Sequence, residues 1–121
     1  MTLTAPDVDT AAVVSGTSPL ADGFRSRFFS EEQYRTFHER AGGYDADNAF
    51  FAEDFADLVQ SGYLKAPLPT GYGGAGLALA DLAAEQRHLA YWAPATALAV
   101  NMHLYWAGSA ATAAQQRTAE V

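Results

Sequence analysis

The sequence contains no cysteine. That excludes a disulfide framework, a thiolate metal site and a thiol nucleophile. Basic residues are scarce: seven Lys and Arg stand against fourteen Asp and Glu, for a formal net charge of −7. Phosphate recognition needs clustered cations, and these are scattered, so nucleic acid is not an expected partner. The opening stretch, MTLTAPDVDTAAVVSG, lacks a basic region and carries Asp7 and Asp9. It is unlike a secretory signal or a mitochondrial presequence, and the expected location is cytoplasmic. A strictly apolar run of membrane length is also missing. The long apolar run without a charge, 93–115, is interrupted by Thr96, Asn101, His103, Ser109 and Thr112. It reads as a buried helix of a soluble protein, with no membrane partner.

What is present suits one small domain. Half of the 121 residues are hydrophobic and 12% are aromatic, enough to bury a core. Residues 1–20 are rich in Thr, Ala, Asp and Ser without helical period, and are expected to be a disordered tail. Ser30-Glu31-Glu32-Gln33 fits a capping box. Tyr34, Phe37, Ala41 and Tyr44 then recur at steps of three and four, which predicts a helix over 31–44. Gly42 and Gly43 weaken its last turn. Asp47 or Asn48 is the expected cap of a second helix. Its apolar face would hold Phe51, Phe55, Leu58 and Val59, with Glu53, Asp54, Asp57 and Gln60 facing away. Gly62 suits the residue that ends this helix with positive φ, with Tyr63 or Leu64 folding back on it.

Residues 62–77, GYLKAPLPTGYGGAGL, form the long break in the pattern. Pro67 and Pro69 remove two backbone donors and argue against a central strand. A third helix is predicted over 79–92, with Leu82, Gln86, Leu89 and Ala90 on one side. Pro94 suits the first position of a fourth, over 94–113, which is apolar almost all round and therefore expected to be central and buried. Residues 114–121 are expected to fray. The predicted fold class is all-α: about four helices in a domain spanning 21–113, with a long Pro/Gly loop between the second and third.

Three motifs carry possible chemistry. Gly71-Tyr72-Gly73-Gly74-Ala75-Gly76 spells G-x-G-x-x-G, a dinucleotide fingerprint. Such a site needs a strand before the glycines and an acidic residue ending a second strand. Neither is predicted, so the glycines are read as turn formers. Glu85 and His88 make a Glu-x-x-His pair, as in di-iron bundles, but no second pair exists. They are read as part of an exposed charged face, and no metal site is expected. His103, on the most apolar helix, is read as a hydrogen-bonded core residue. Asn101 is open between a structural role and pocket lining. No catalytic constellation is proposed.

From about Arg40 the chain resembles the N-terminal helical domain of the acyl-CoA dehydrogenase superfamily. The resemblance rests on an ordered series: ERAGGYDADNAF, LVQSGYL, APLPTGYGGAGL and LADLAAEQRHLAYWAPATALAVNMHLYW. It covers about 80 residues. The resemblance implies an FAD flavoprotein of fatty acid metabolism that oxidises acyl thioesters at Cα–Cβ, with relatives that use reduced flavin for oxygenation. It implies acyl-CoA as the small-molecule partner. It also implies the middle β-domain and C-terminal helical domain, or a homo-oligomer, as protein partners. The family's catalytic carboxylate lies in the C-terminal part, so none is expected here, and a truncated, split or cut chain inactive alone is the expectation. Ala97, Leu98, Asn101 and Tyr105 fall where the family's acyl-pocket wall would be. Phe50-Phe51 departs from the usual Phe-Pro, and Ala78 from the usual Ser or Thr cap. The final residues, from Ala107, lose the pattern. A stand-alone acidic helical interaction module is the alternative reading.

Overall fold

The computed structural model describes residues 23–120. The tail expected over 1–20 lies outside the described residues. The described residues form four α-helices and two short 3-10 turns, with no strand among them. The all-α expectation therefore holds.

Helix α1 spans Glu31–Asp47. Ser30 caps it by accepting from the Gln33 N–H at 3.1 Å. The reciprocal half of the capping box does not form, because the Gln33 amide donates instead to Asp57 at 3.0 Å. The helix outruns the predicted end despite Gly42 and Gly43. Two interior glycines cost about 2 kcal/mol in helix propensity. Tertiary bonds on either side of them offset this. Arg40 reaches Asp54 and Asp57 on the next helix, and the Tyr44 hydroxyl donates to Glu53 at 2.6 Å. That bond, together with partial desolvation, pushes the Tyr44 hydroxyl up to about 12, with desolvation the larger cause.

Helix α2 spans Ala52–Ser61. Neither Asp47 nor Asn48 caps it. Asn48 instead closes α1 in the left-handed conformation, φ 47°, and Phe51 precedes α2 without a side-chain cap. Gly62 ends α2 as predicted, at φ 85°, with its N–H returned to Leu58 and Val59. Tyr63 folds back and is fully buried. Of the predicted apolar face, Leu58 enters the core, whereas Phe55 and Val59 are exposed.

Helix α3 spans Leu79–Trp92 and α4 spans Pro94–Ala119. Ala78 gives α3 no side-chain cap, and Pro94 opens α4 at the predicted position. Helix α4 continues to Ala119, past the expected limit at residue 113. It turns back along α3, so that Gln86 meets both Ala97 and Asn101. The expectation of an all-round buried α4 is corrected. Thr96, Ala97, Val100, Leu104 and Ala111 form its buried stripe, while Leu98, Met102, Tyr105 and Trp106 are exposed. The rest of the described chain covers only one side of this helix. No helix among the described residues is long and apolar enough to cross a membrane.

The core gathers Tyr34 and Phe37 of α1, Leu58 of α2, Tyr63 and Ala66 of the loop, and the inner faces of α3 and α4. Two carboxylates expected on outer faces are buried with it. Asp54 is 0% exposed, held by Arg40 and by the Thr96 hydroxyl at 2.8 Å. Glu85 is 3% exposed and accepts from the Ser26 hydroxyl at 2.7 Å and the Arg27 N–H at 2.8 Å. A buried carboxylate is tolerated only when its oxygens are so occupied. Glu85 thereby ties the segment before α1 to α3, and Phe28 and Phe29 of that segment pack on the core.

Candidate acyl groove

The loop between α2 and α3 is closed on itself. The N–H groups of residues 72–77 all bond to carbonyls within the loop: Tyr72 and Gly74 to Pro69, Gly73 to Thr70, Ala75 to Lys65, Gly76 to Leu68, and Leu77 to Ala66. At Gly74 the backbone lies so close to Leu68 that an added Cβ would overlap its carbonyl. The glycines thus serve the loop's own packing. With these amides spent, residues 72–77 have none to offer a phosphate, so the geometry, like the topology, counts against the fingerprint reading.

That loop, α3 and α4 enclose a groove of about 990 Å³. Pro67, Pro69, Leu77, Leu79 and Leu82 form one wall, and α4 forms the facing one. Asn101 and Tyr105 line it. Ala97 is buried beneath, its carbonyl accepting from Gln86 Nε2 at 3.1 Å. Leu98 lies outside the groove and is 76% exposed. The same Gln86 amide donates to Asn101 Oδ1 at 3.2 Å, while its Oε1 accepts from the Tyr63 hydroxyl at 2.7 Å. Burial raises the Tyr63 hydroxyl above its ordinary range, so it stays protonated and a donor.

The sequence reading missed Gln86 as the link between Tyr63 and Asn101. It also missed Ser109, Thr112, Gln115 and Gln116, which extend the α4 wall. Helical spacing from Asn101 through Tyr105, Ser109 and Thr112 was the available signal. His103 is exposed rather than in the core, and its Nε2 donates to the Leu64 carbonyl at 2.8 Å.

A smaller cavity of about 560 Å³ lies between segment 23–30, α1 and α3. Tyr34 Oη, His88 Nδ1 and Trp92 Nε1 are buried there with no hydrogen-bond partner among the described residues. Burial pushes the Tyr34 hydroxyl far up. It lowers His88, against the opposing pull of Glu85 and then Glu31. Glu85 and His88 therefore belong to this interior junction and not to an exposed face. Among the described residues no group of His, Asp and Glu could hold a metal ion.

Helical content, loop and groove can be set beside known proteins. The family model described as acyl-CoA dehydrogenase, N-terminal domain, matches residues 24–119. The chain belongs to this family. The match begins before Arg40 and runs past Ala107, so both ends of the helical region carry family character beyond the series read from the sequence. No curated protein and no solved structure matches the chain. The acyl-CoA dehydrogenase family is FAD-dependent in general. The described residues offer the cofactor's pyrophosphate little: the amides of residues 72–77 are taken up within the loop, and among the described residues no Lys or Arg lines the groove.

Proposed function

We propose that this chain supplies the acyl-binding wall of an acyl-CoA dehydrogenase-like flavoprotein acting on the CH–CH bond of acyl thioesters. The observation that carries the reading is the groove itself, a concavity of about 990 Å³ with Pro67, Pro69, Leu77, Leu79 and Leu82 along one side, in a chain of this family. An acyl chain laid between α3, α4 and the Pro/Gly loop would meet Leu77, Leu82 and Leu104 at its floor. Asn101 and Tyr105 contribute the facing wall, and Ala97 acts from beneath by anchoring Gln86. Leu98 takes no part in that wall.

Catalysis is not assigned to this domain alone. Removing the α-proton of an acyl thioester needs a base, and among the described residues neither carboxylate nor imidazole lines the groove. No step is assigned to FAD here, because the described residues give it no cradle. The test is to purify the chain with excess FAD and an acyl-CoA. Acyl-CoA binding without stoichiometric flavin retention or turnover is expected. Turnover by this chain alone would overturn the proposal.

A second reading rests on a different observation. Leu98, Met102 and Trp106 form an exposed apolar face on α4, and such a face suits a protein partner. Under that reading the chain is a helical interaction module. Sedimentation together with hydrophobic-dye binding separates the two, since a monomer that binds no dye contradicts the module.

A further inference from the structure

We infer that the groove takes an acyl chain bearing a neutral oxygen (a hydroxyl, ketone, ether or ester) in preference to a bare alkyl chain or a carboxylate; this rests on the acyl-groove reading above. The first argument is direction. The Ala97 carbonyl can only accept, so the Gln86 side chain must turn its NH₂ toward it. The Tyr63 hydroxyl, donating to Gln86 Oε1, fixes the same orientation from the other end. The Gln86 NH₂ is then what Asn101 faces, and Asn101 must present its oxygen to it. The NH₂ of Asn101 is left without a partner among the described residues, on a side chain that lines the groove. It is an oriented donor, complementary to an acceptor and mismatched to a methylene chain.

The second argument is the contrast between the walls. Apart from Gln86 the loop and α3 side is apolar, whereas α4 presents Asn101, Ser109, Thr112, Gln115 and Gln116 along the groove beside its apolar residues. An alkyl chain pressed on that side would strip water from amides and hydroxyls and return no hydrogen bond. Oxygen substituents return them. The third argument is charge. Among the described residues, no Lys, Arg, His, Asp or Glu lines the groove. A carboxylate moved into it would lose hydration with no counter-cation, so the acceptor is neutral.

The experiment measures binding of the whole chain, by calorimetry, to thioesters of matched length: octanoyl-CoA, octanoyl-CoA with a mid-chain ketone or hydroxyl, and the monothioester of octanedioic acid. The oxygenated neutral ligand should bind about tenfold tighter than octanoyl-CoA, the expected worth of about one net hydrogen bond. The dicarboxylic ligand should bind weakest. Asn101→Leu should bring the ketone and the alkyl ligand level. Gln86→Leu should reduce the preference by freeing the Asn101 amide to rotate, and circular dichroism would confirm that each variant is folded. Octanoyl-CoA binding as tightly as the ketone, or the dicarboxylic ligand binding best, overturns the inference and leaves the acyl-groove reading standing. Binding of none of the thioesters overturns that reading and the inference with it.

Discussion

Thr96 donates a 2.8 Å hydrogen bond to Asp54 Oδ2, joining the first turn of α4 to α2 across 42 positions of sequence, and both residues are buried. Arg40 holds the other carboxylate oxygen at 3.1 Å. The three helices α1, α2 and α4 therefore meet at one buried charge. Thr96→Val should cost about 1–3 kcal/mol, because it leaves a buried acceptor unmet. Arg40→Met should cost more, toward about 3–5 kcal/mol, by stranding the charge. Urea unfolding of the two variants checks the order, and equal or negligible losses would contradict it.

Gly74 and Gly71 separate the structural account of the loop from a phosphate-binding one. Gly74→Ala drives a methyl group into the Leu68 carbonyl and should cost at least about 1–3 kcal/mol. Gly71 has open space around the position of a Cβ, so Gly71→Ala should stay within about 0.5 kcal/mol. Thermal melts of the pair give the answer. A destabilised Gly71→Ala beside a tolerated Gly74→Ala would refute the account.

His88 gives a pH dependence of definite sign. Burial lowers its folded pKa, so the unfolded chain takes up the proton first on acidification. The stability it contributes is complete above the unfolded value near about 6.5 and declines as pH falls from there toward the folded value. Urea midpoints at pH 7.5 and 5.5 should differ in that direction. His88→Phe, which keeps a ring against Phe24, should reduce the difference.

Leu98 is predicted to be irrelevant to the groove. Leu98→Ser should change stability by no more than about 0.5 kcal/mol and leave acyl-CoA binding at the wild-type level, since the side chain is exposed and lies off the groove. Calorimetric titration of this variant beside wild type is decisive, and a clear loss of affinity would restore Leu98 to the wall.

Local chemistry made α3 and the start of α4 legible. Pro94 can open a helix but not continue one, and the heptad-like spacing of Leu82 and Leu89 marks an inner face. Gly62 was readable because the left-handed conformation there suits glycine. The end of α1 was not, since glycine propensity is local while the bonds from Arg40 and Tyr44 are not. Asp54 and Glu85 were misplaced for the same reason. A carboxylate's burial depends on partners 42 and 59 positions away, Thr96 and Ser26, which no periodicity reveals. Of the candidate wall, helical spacing placed Asn101 and Tyr105 together. Gln86 came from another helix and needed the fold.

The engagement of the residue 72–77 amides within the loop has a consequence for recognition. One side of the groove is set before any ligand arrives, because Pro67, Pro69 and Leu77 are held by a knot of short-range bonds and not by the guest. Affinity is then not diluted by ordering that wall on binding. If the groove holds an acyl chain as proposed, discrimination falls to the opposite side, where a single amide on a helix, turned by its neighbour, would decide what fits.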